Sequence, residues 1–256
     1  MRLAISPTTY GHRTSSATSS RTTVNGSLGG VAILSDGASG ITNDEFRRIR
    51  ELIYSEAGIS LSDSKRALVC ARLAKRLRRL SLRSHSDYLD YLETRDDGSE
   101  RQAMINCLTT NKTDFFRESH HFDYLSEVVF PQLVHRAERG GPRRLNIWSA
   151  GCSIGHEPYS IAITILEHFA SRRGWELRIL ASDINTEVLK TAAQGVYPLE
   201  HIDGLDDSIR RKYFLRGTGR WGGSCQVRPE VRRLVTFRQI NFMDASWPFR
   251  SRFDVI

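Results

Sequence analysis

Two acids flank a glycine-bearing turn in this chain. Glu157 follows Ser149-Ala150-Gly151-Cys152-Ser153 and Gly155, and Asp183 closes the run Leu177-Arg178-Ile179-Leu180-Ala181-Ser182. An acid at the end of a second strand is where a carboxylate can take both hydroxyls of a ribose. Glycines let backbone approach a ligand closely, and a helix that starts after them offers free N–H groups. The spacing is neither the Gly-x-Gly-x-x-Gly of dinucleotide sites nor the Lys-Ser/Thr of a triphosphate loop, so phosphate cradling is not favoured. A ligand with a ribose and no phosphates fits these parts, and S-adenosylmethionine is the commonest such cofactor. Taken alone the turn is a weak signal, with an ordinary tight turn as its plain alternative.

The elements that must position these residues are legible. Leu145-Asn146-Ile147-Trp148 reads as a buried strand before the turn. From Pro158, which suits a first helical turn, Ile161, Ile165 and Phe169 recur on one helical face. Residues 177–182 form a second strand, residues 234–240 a third leading to Asn241-Phe242, and Phe253-Asp254-Val255-Ile256 begins a fourth. Strand, turn, helix, strand is the opening of a nucleotide-type α/β domain.

Composition sets the frame. The 256 residues hold 39% hydrophobic and 26% charged side chains, as in soluble globular proteins, with room for an α/β domain and a smaller one. No apolar run approaches the roughly 20 residues that span a bilayer. The first residues lack a secretory signal's apolar core. Four scattered cysteines form no Cys-x-x-Cys pair, which argues against a zinc site or a disulfide framework and suits a reducing cytosol. A net charge of +8 implies an acidic partner. Residues 1–40, rich in Ser, Thr and Gly, are expected to be a disordered tail; their Arg and Ser content mimics a transit peptide, whose apolar face is missing.

Residues 41–108 read as a helical domain. Thr42 or Asn43 caps a helix carrying Phe46, Ile49 and Ile53 that Gly58 ends, and Ser62 or Asp63 caps a second with Val69, Leu73, Leu77 and Leu80 inside. Residues 87–95 and 99–108 read as a third and a fourth. On the second helix, Lys65, Arg72, Arg76, Arg79 and Arg83 recur at helical steps, flanked by Lys75 and Arg78, with no acid between Ser64 and Ser84. A solvated face is the plain reading. The absence of acids one turn away favours a binding surface, with Arg72, Arg76 and Arg79 at its centre.

Residues 108–117 are rich in turn formers, around Asn111, Thr113 and the pair Phe115-Phe116. Residues 120–139 read as one helix closed by Gly140-Gly141-Pro142, and His120-His121 as structure rather than a metal site. Residues 186–194 form a helix stopped by Gly195, and residues 209–215 another. Gly217, Gly219, Gly222 and Gly223 before Cys225-Gln226-Val227-Arg228 suggest a small antiparallel insert spanning about residues 197–233.

Three motifs in this order carry a resemblance: Asn111-x-Thr113-x-Phe115-Phe116-Arg117; Trp148-Ser149-Ala150-Gly151-Cys152-Ser153-x-Gly155-x-Glu157-Pro158-Tyr159-Ser160; and Ala181-Ser182-Asp183-Ile184. From about residue 41 to 256 the chain resembles the chemotaxis receptor methyltransferases, the CheR family. The resemblance implies an α/β fold: a Rossmann-like S-adenosylmethionine-dependent methyltransferase domain over residues 109–256, with an incomplete sheet and a small antiparallel β insert, after an all-helical receptor-docking domain. It implies cytoplasmic methylation of glutamate side chains on the helical bundle of methyl-accepting chemotaxis receptors, with S-adenosylhomocysteine as product. Arg117 would be the catalytic residue, orienting the acceptor carboxylate. Asn111, Thr113 and Arg117 would border the cofactor's methionine end. Gly151 and Glu157 would hold it at the turn, Asp183 the ribose, and Asn241 with Phe242 the adenine. The insert, with Gly217 and Gly219, would meet a peptide at the receptor C-terminus, as in some members. No metal, nucleic acid or membrane insertion is implied.

Two departures stand out. His156 occupies a position where the family usually has glutamate. The family pattern also continues past Phe253-Asp254-Val255-Ile256 into a cofactor loop with an Asn and a methyl-proximal Tyr, so the chain is expected to be C-terminally incomplete and inactive by itself. Two other readings compete: a non-catalytic receptor-binding fragment, and a nucleic-acid methyltransferase, which would need aromatics among the cations of residues 64–84, where there are none.

Overall fold

The computed structural model describes residues 40–249 and 252–256. The expected tail, apart from its last residue, lies outside the described residues. Helix α1 (Asn43–Ala57) opens on a capping box: the Glu45 N–H donates to the Thr42 hydroxyl at 3.2 Å and the Thr42 N–H to the Glu45 carboxylate at 2.8 Å. Gly58, at φ 66°, ends it in the left-handed region. Helix α2 (Arg66–Leu80) follows a single 3-10 turn rather than a side-chain cap. Helices α3 (His85–Thr94) and α4 (Ser99–Leu108) complete the bundle. Phe46, Ile49, Val69, Leu73, Tyr88 and Met104 are wholly buried in one core.

A separate core serves the rest of the chain. The long helix expected after residue 120 is interrupted: α5 (His120–Tyr124) passes through a π turn, Leu125–Val129, into α6 (Phe130–Glu138). Pro131 has no N–H to give the preceding turn, and the Phe130 N–H reaches back to the Leu125 carbonyl. Strand β1 (Arg144–Ala150) leads through the glycine turn into α7 (His156–Phe169), then β2 (Glu176–Asp183) and α8 (Thr186–Gln194), which Gly195 stops at φ 60°.

The insert follows: β3 (Val196–Pro198), α9 (Asp207–Tyr213), β4 (Phe214–Arg216), β5 (Ser224–Val227) and the short α10 (Pro229–Arg232). Its strands pair antiparallel in the order β3-β5-β4. The helix expected through residue 215 ends at Tyr213, because Phe214 and Leu215 pair with Val227 and Gln226. Strand β6 (Val235–Gln239) then returns to the main sheet, which is parallel in the order β1-β2-β6.

Register places Ala150 opposite Ser182 and Asp183 opposite Gln239, so the turn, the acid and the start of the Asn241 loop emerge at one end of the sheet. On the other side of β1, Val255 bridges Ile147 in parallel, and the Trp148 N–H donates to the Val255 carbonyl at 3.0 Å. The strands therefore proceed outward from β1 in both directions. Beyond the carboxyl ends at such a switch point is where open α/β sheets bind ligands. No helix among the described residues is long and apolar enough to cross a membrane.

Candidate active site

The glycine turn is fixed from below by the second strand. The N–H groups of Gly151 and Cys152 both donate to the Ser182 carbonyl at 2.8 Å. Gly151 sits at φ 83°, and a Cβ there would meet no atom within 4 Å, so its face is open. Gly155, at φ 97°, is different: a Cβ would crowd Ala192 and the Tyr197 hydroxyl. One glycine borders open space and the other permits packing.

Asp183 is 8% exposed and its two oxygens already serve the backbone. Oδ2 accepts the Ser153 N–H at 2.8 Å and Oδ1 the Asn185 N–H at 2.9 Å. The carboxylate thereby locks the turn, with Ser153 at φ 51°, to the end of β2. A carboxylate has about four acceptor sites, so two remain for a ligand. Glu157, in the first turn of α7, is exposed, and its Oε1 accepts the Ser149 hydroxyl at 2.6 Å. Two carboxylates on one turn repel phosphate and suit a cationic ligand carrying hydroxyls. Those are the properties of S-adenosylmethionine, a sulfonium with an amino group and a ribose.

The segment from Asn111 to Arg117 lies against this turn. The Asn111 carbonyl accepts the Ser153 hydroxyl at 2.9 Å, and the Thr113 carbonyl faces Nδ1 of His156 at 3.1 Å. The Phe116 N–H donates to the Ser160 hydroxyl at 2.9 Å, inside α7. Phe116 and Glu118 hold φ 52° and 57°, a region bulky side chains avoid. Among the described residues four non-glycine positions hold positive φ: Ser153 lies in the turn, Phe116 in this segment, Glu118 just after it and Ser81 elsewhere. Arg117 is exposed, its guanidinium donating to the Lys112 carbonyl at 3.3 Å.

The helical domain closes on the same end of the sheet through polar groups the sequence did not signal. Asn185, 2% exposed, caps α8 by accepting the N–H groups of Glu187 and Val188. Its amide donates across the boundary to the Asn106 carbonyl at 3.0 Å and the Thr109 hydroxyl at 2.7 Å. Asn106 donates to the Thr186 hydroxyl at 2.8 Å, and Gln102 to the Ile184 carbonyl at 3.0 Å. Between the domains a cleft of about 370 Å³ opens, lined by Glu56, Gln102, Ile184, Gln239 and Asn241.

The Asn241 side chain makes two contacts within the protein: its amide donates to the Glu56 carbonyl at 2.6 Å and its oxygen accepts the Met243 N–H at 3.0 Å. Phe242 is half exposed, 5.9 Å from the Trp148 ring. The basic stripe on α2 is divided. Arg72 donates to the carbonyls of Leu108 and Thr109, both at 2.9 Å, and Arg76 grips the buried Glu100 on α4 with two nitrogens, one at 2.8 Å. Both are spent on the bundle; Arg79, with Lys75 and Arg78, is exposed. Gly217 and Gly219 shape the β4–β5 turn. A Cβ on Gly217 would collide with the Trp221 carbonyl, and Gly219 holds φ 57°. Gly217 lines an open groove of about 380 Å³ with Val196, Leu215, Trp221 and Gln226.

Comparison with known proteins agrees with this geometry. Residues 44–109 match the family described as CheR methyltransferase, all-alpha domain, and residues 111–256 the CheR methyltransferase, SAM binding domain. Chemotaxis protein methyltransferase 2 of Pseudomonas aeruginosa is 46% identical over 215 residues, covering 84% of this chain and 74% of its own. The chemotaxis protein methyltransferases of Salmonella typhimurium and Escherichia coli are 43% and 42% identical over 217 residues, each covering 84% of this chain and 72% of theirs. The two matches together span residues 44–109 and 111–256, and the chain belongs to the CheR methyltransferase family.

Proposed function

We propose that this protein methylates glutamate side chains on the cytoplasmic helical bundle of chemotaxis receptors. The cofactor supplies a methyl group on a sulfonium and leaves as S-adenosylhomocysteine, a neutral thioether. The acceptor carboxylate oxygen forms the new C–O bond as the C–S bond breaks, giving a methyl ester. A free glutamate, with pKa about 4.3, is already ionised at neutral pH, so the chain need supply no general base. What it must supply is alignment and partial exclusion of water.

Arg117 is assigned to the acceptor carboxylate, because its planar fork suits bidentate pairing. The Asn111 and Thr113 segment borders the methionine end, Glu157 pairs with its amino group, and Asp183 accepts from the ribose with its remaining lone pairs. Phe242 stands at the adenine edge, with Asn241 fixing the loop that carries it. Arg79, with Lys75 and Arg78, offers the cationic surface for an acidic receptor bundle. The edge of β4 beside Gly217 and Gly219 has backbone groups to pair with an extended peptide.

The observation that carries this reading is the turn itself, where an open Gly151 lies between Glu157 and Asp183. Transfer of a labelled methyl group, offering a receptor cytoplasmic fragment and RNA side by side, tests it on the full-length protein. Base-labile label on the receptor fragment alone is expected, lost when its acceptor glutamates are changed to alanine. Label on RNA, or none on the receptor, would contradict it.

A further inference from the structure

His156, the first residue of α7, is buried to 1% exposure. Its ring lies 4.2 Å from that of Phe115 and 4.8 Å from that of Tyr197, and its two nitrogens are both engaged. Nδ1 lies 3.1 Å from the Thr113 carbonyl, and Nε2 lies 3.1 Å from Nδ1 of His201, in the single turn after β3. A carbonyl can only accept, so Nδ1 of His156 must carry the proton. In a neutral ring Nε2 is then an acceptor, and Nδ1 of His201 must donate to it. One carbonyl thereby sets the tautomers of two imidazoles, in the direction His201 to His156 to Thr113.

This relay joins three elements of the site: the Asn111 to Arg117 segment, the helix that follows the glycine turn, and the insert. Phe115, two residues after Thr113, reinforces the join, its ring 5.4 Å from Tyr197 and 5.2 Å from Phe214. The groups facing His156 are few. Asp114 comes from the segment, His201 and Tyr197 from the insert, and only Asp114 brings a favourable charge. Burial pushes the His156 imidazole down to about 4, so it stays neutral in the physiological range.

We propose that His156 and His201 form a positioning pair that holds the Thr113 carbonyl, and through it Arg117, where methyl transfer needs them. The proposal rests on the assignment of the Asn111 to Arg117 segment to the transfer site. Neither ring touches the reacting atoms. His201 acts through His156, and His156 through the backbone of Thr113.

The test uses the full-length protein, nitrogen-labelled at histidine, with S-adenosylhomocysteine as probe. NMR is expected to show the Nδ1–H tautomer for both rings, with His156 remaining neutral as the pH falls through 5.5. His201→Phe removes the donor while keeping a ring in place. It is expected to shift the amide signals of residues 113–117, and to lower kcat about tenfold or more while receptor KM stays within about twofold. His156→Gln, which retains a donor and an acceptor, should recover most of the kcat lost in His156→Leu. An Nε2–H tautomer at His156, or wild-type kcat and unmoved loop signals in His201→Phe, would overturn the proposal. Were the wild-type protein to methylate no receptor, the proposed function would fall, and the tautomers and loop signals would still decide the pair.

Discussion

Two charged regions of the molecule behave differently. At the glycine turn, residues named from sequence come together: Gly151, Glu157 and Asp183 lie at the carboxyl end of the sheet. On α2, a stripe that looked uniform is divided, with Arg72 and Arg76 turned into the bundle and Arg79 left outside. The turn is a local structure, fixed by residues a few positions apart and by the register of two strands. A helix face becomes a surface or a core only by what packs on it. The acid that captures Arg76 is Glu100, 24 residues away, so no inspection of residues 64–84 could have found it.

The largest effects should come from testing that division. Arg76→Ala leaves Glu100, 5% exposed, without its cation, and among the described residues only Tyr88 still donates to its carboxylate. Removing one partner of such a buried pair costs about 3–5 kcal/mol, whereas Arg79→Ala should stay within about 0.5 kcal/mol. Urea denaturation followed by circular dichroism checks both. Equal destabilisation by the two variants would break the contrast.

Asn185→Ala comes next. It removes a helix cap and the two hydrogen bonds that Asn185 donates across the domain boundary, to the Asn106 carbonyl and the Thr109 hydroxyl, for a cost of about 2 kcal/mol. Hydrogen exchange should show α4 and the start of α8 loosening together. Protection unchanged in either element would mean that the domains are held elsewhere.

Acid should act through His156. Its folded value is about 4 against an ordinary 6.5, so between those values the unfolded chain takes a proton that the folded form refuses. This contribution is fully present above pH 6.5 and is lost as pH falls toward 4. Melting temperature measured across that window should fall less steeply in His156→Gln than in the wild type. Parallel curves would remove the histidine from the account.

The smallest effect concerns the outer half of the stripe. Reversing Lys75, Arg78 and Arg79 to Glu should raise the KM for receptor, by about tenfold at low salt, and leave stability and cofactor affinity alone. An unchanged KM would return this face to ordinary solvation.

Much of the fold was legible because its signals are local. Thr42, Gly58, Pro158 and Gly195 fall at or inside the helix ends they were expected to mark, and the three strands of the main sheet are where their apolar runs lie, while the expected fourth contributes a single bridge at Val255. What escaped depends on pairing across the chain. Phe214 and Leu215 left a helical pattern for a strand because β5 was there to receive them. The Asn241 amide meets the Glu56 carbonyl, far away in sequence, across the domain boundary. His201 gave no sign in sequence, since its meaning lies wholly in the ring beside it. Asp183, proposed for the ribose, also holds the Ser153 N–H.

That double duty decides which residue tests the central claim. Asp183→Ala would disturb the turn as well as any ligand, whereas Glu157 is exposed and its one bond within the protein, from the Ser149 hydroxyl, can survive as an amide. Titration calorimetry of the full-length protein with S-adenosylmethionine should show Glu157→Gln binding tenfold to a hundredfold more weakly, about 1.5–3 kcal/mol, at an unchanged melting temperature. Wild-type affinity in that variant would contradict the placement of the cofactor at the glycine turn.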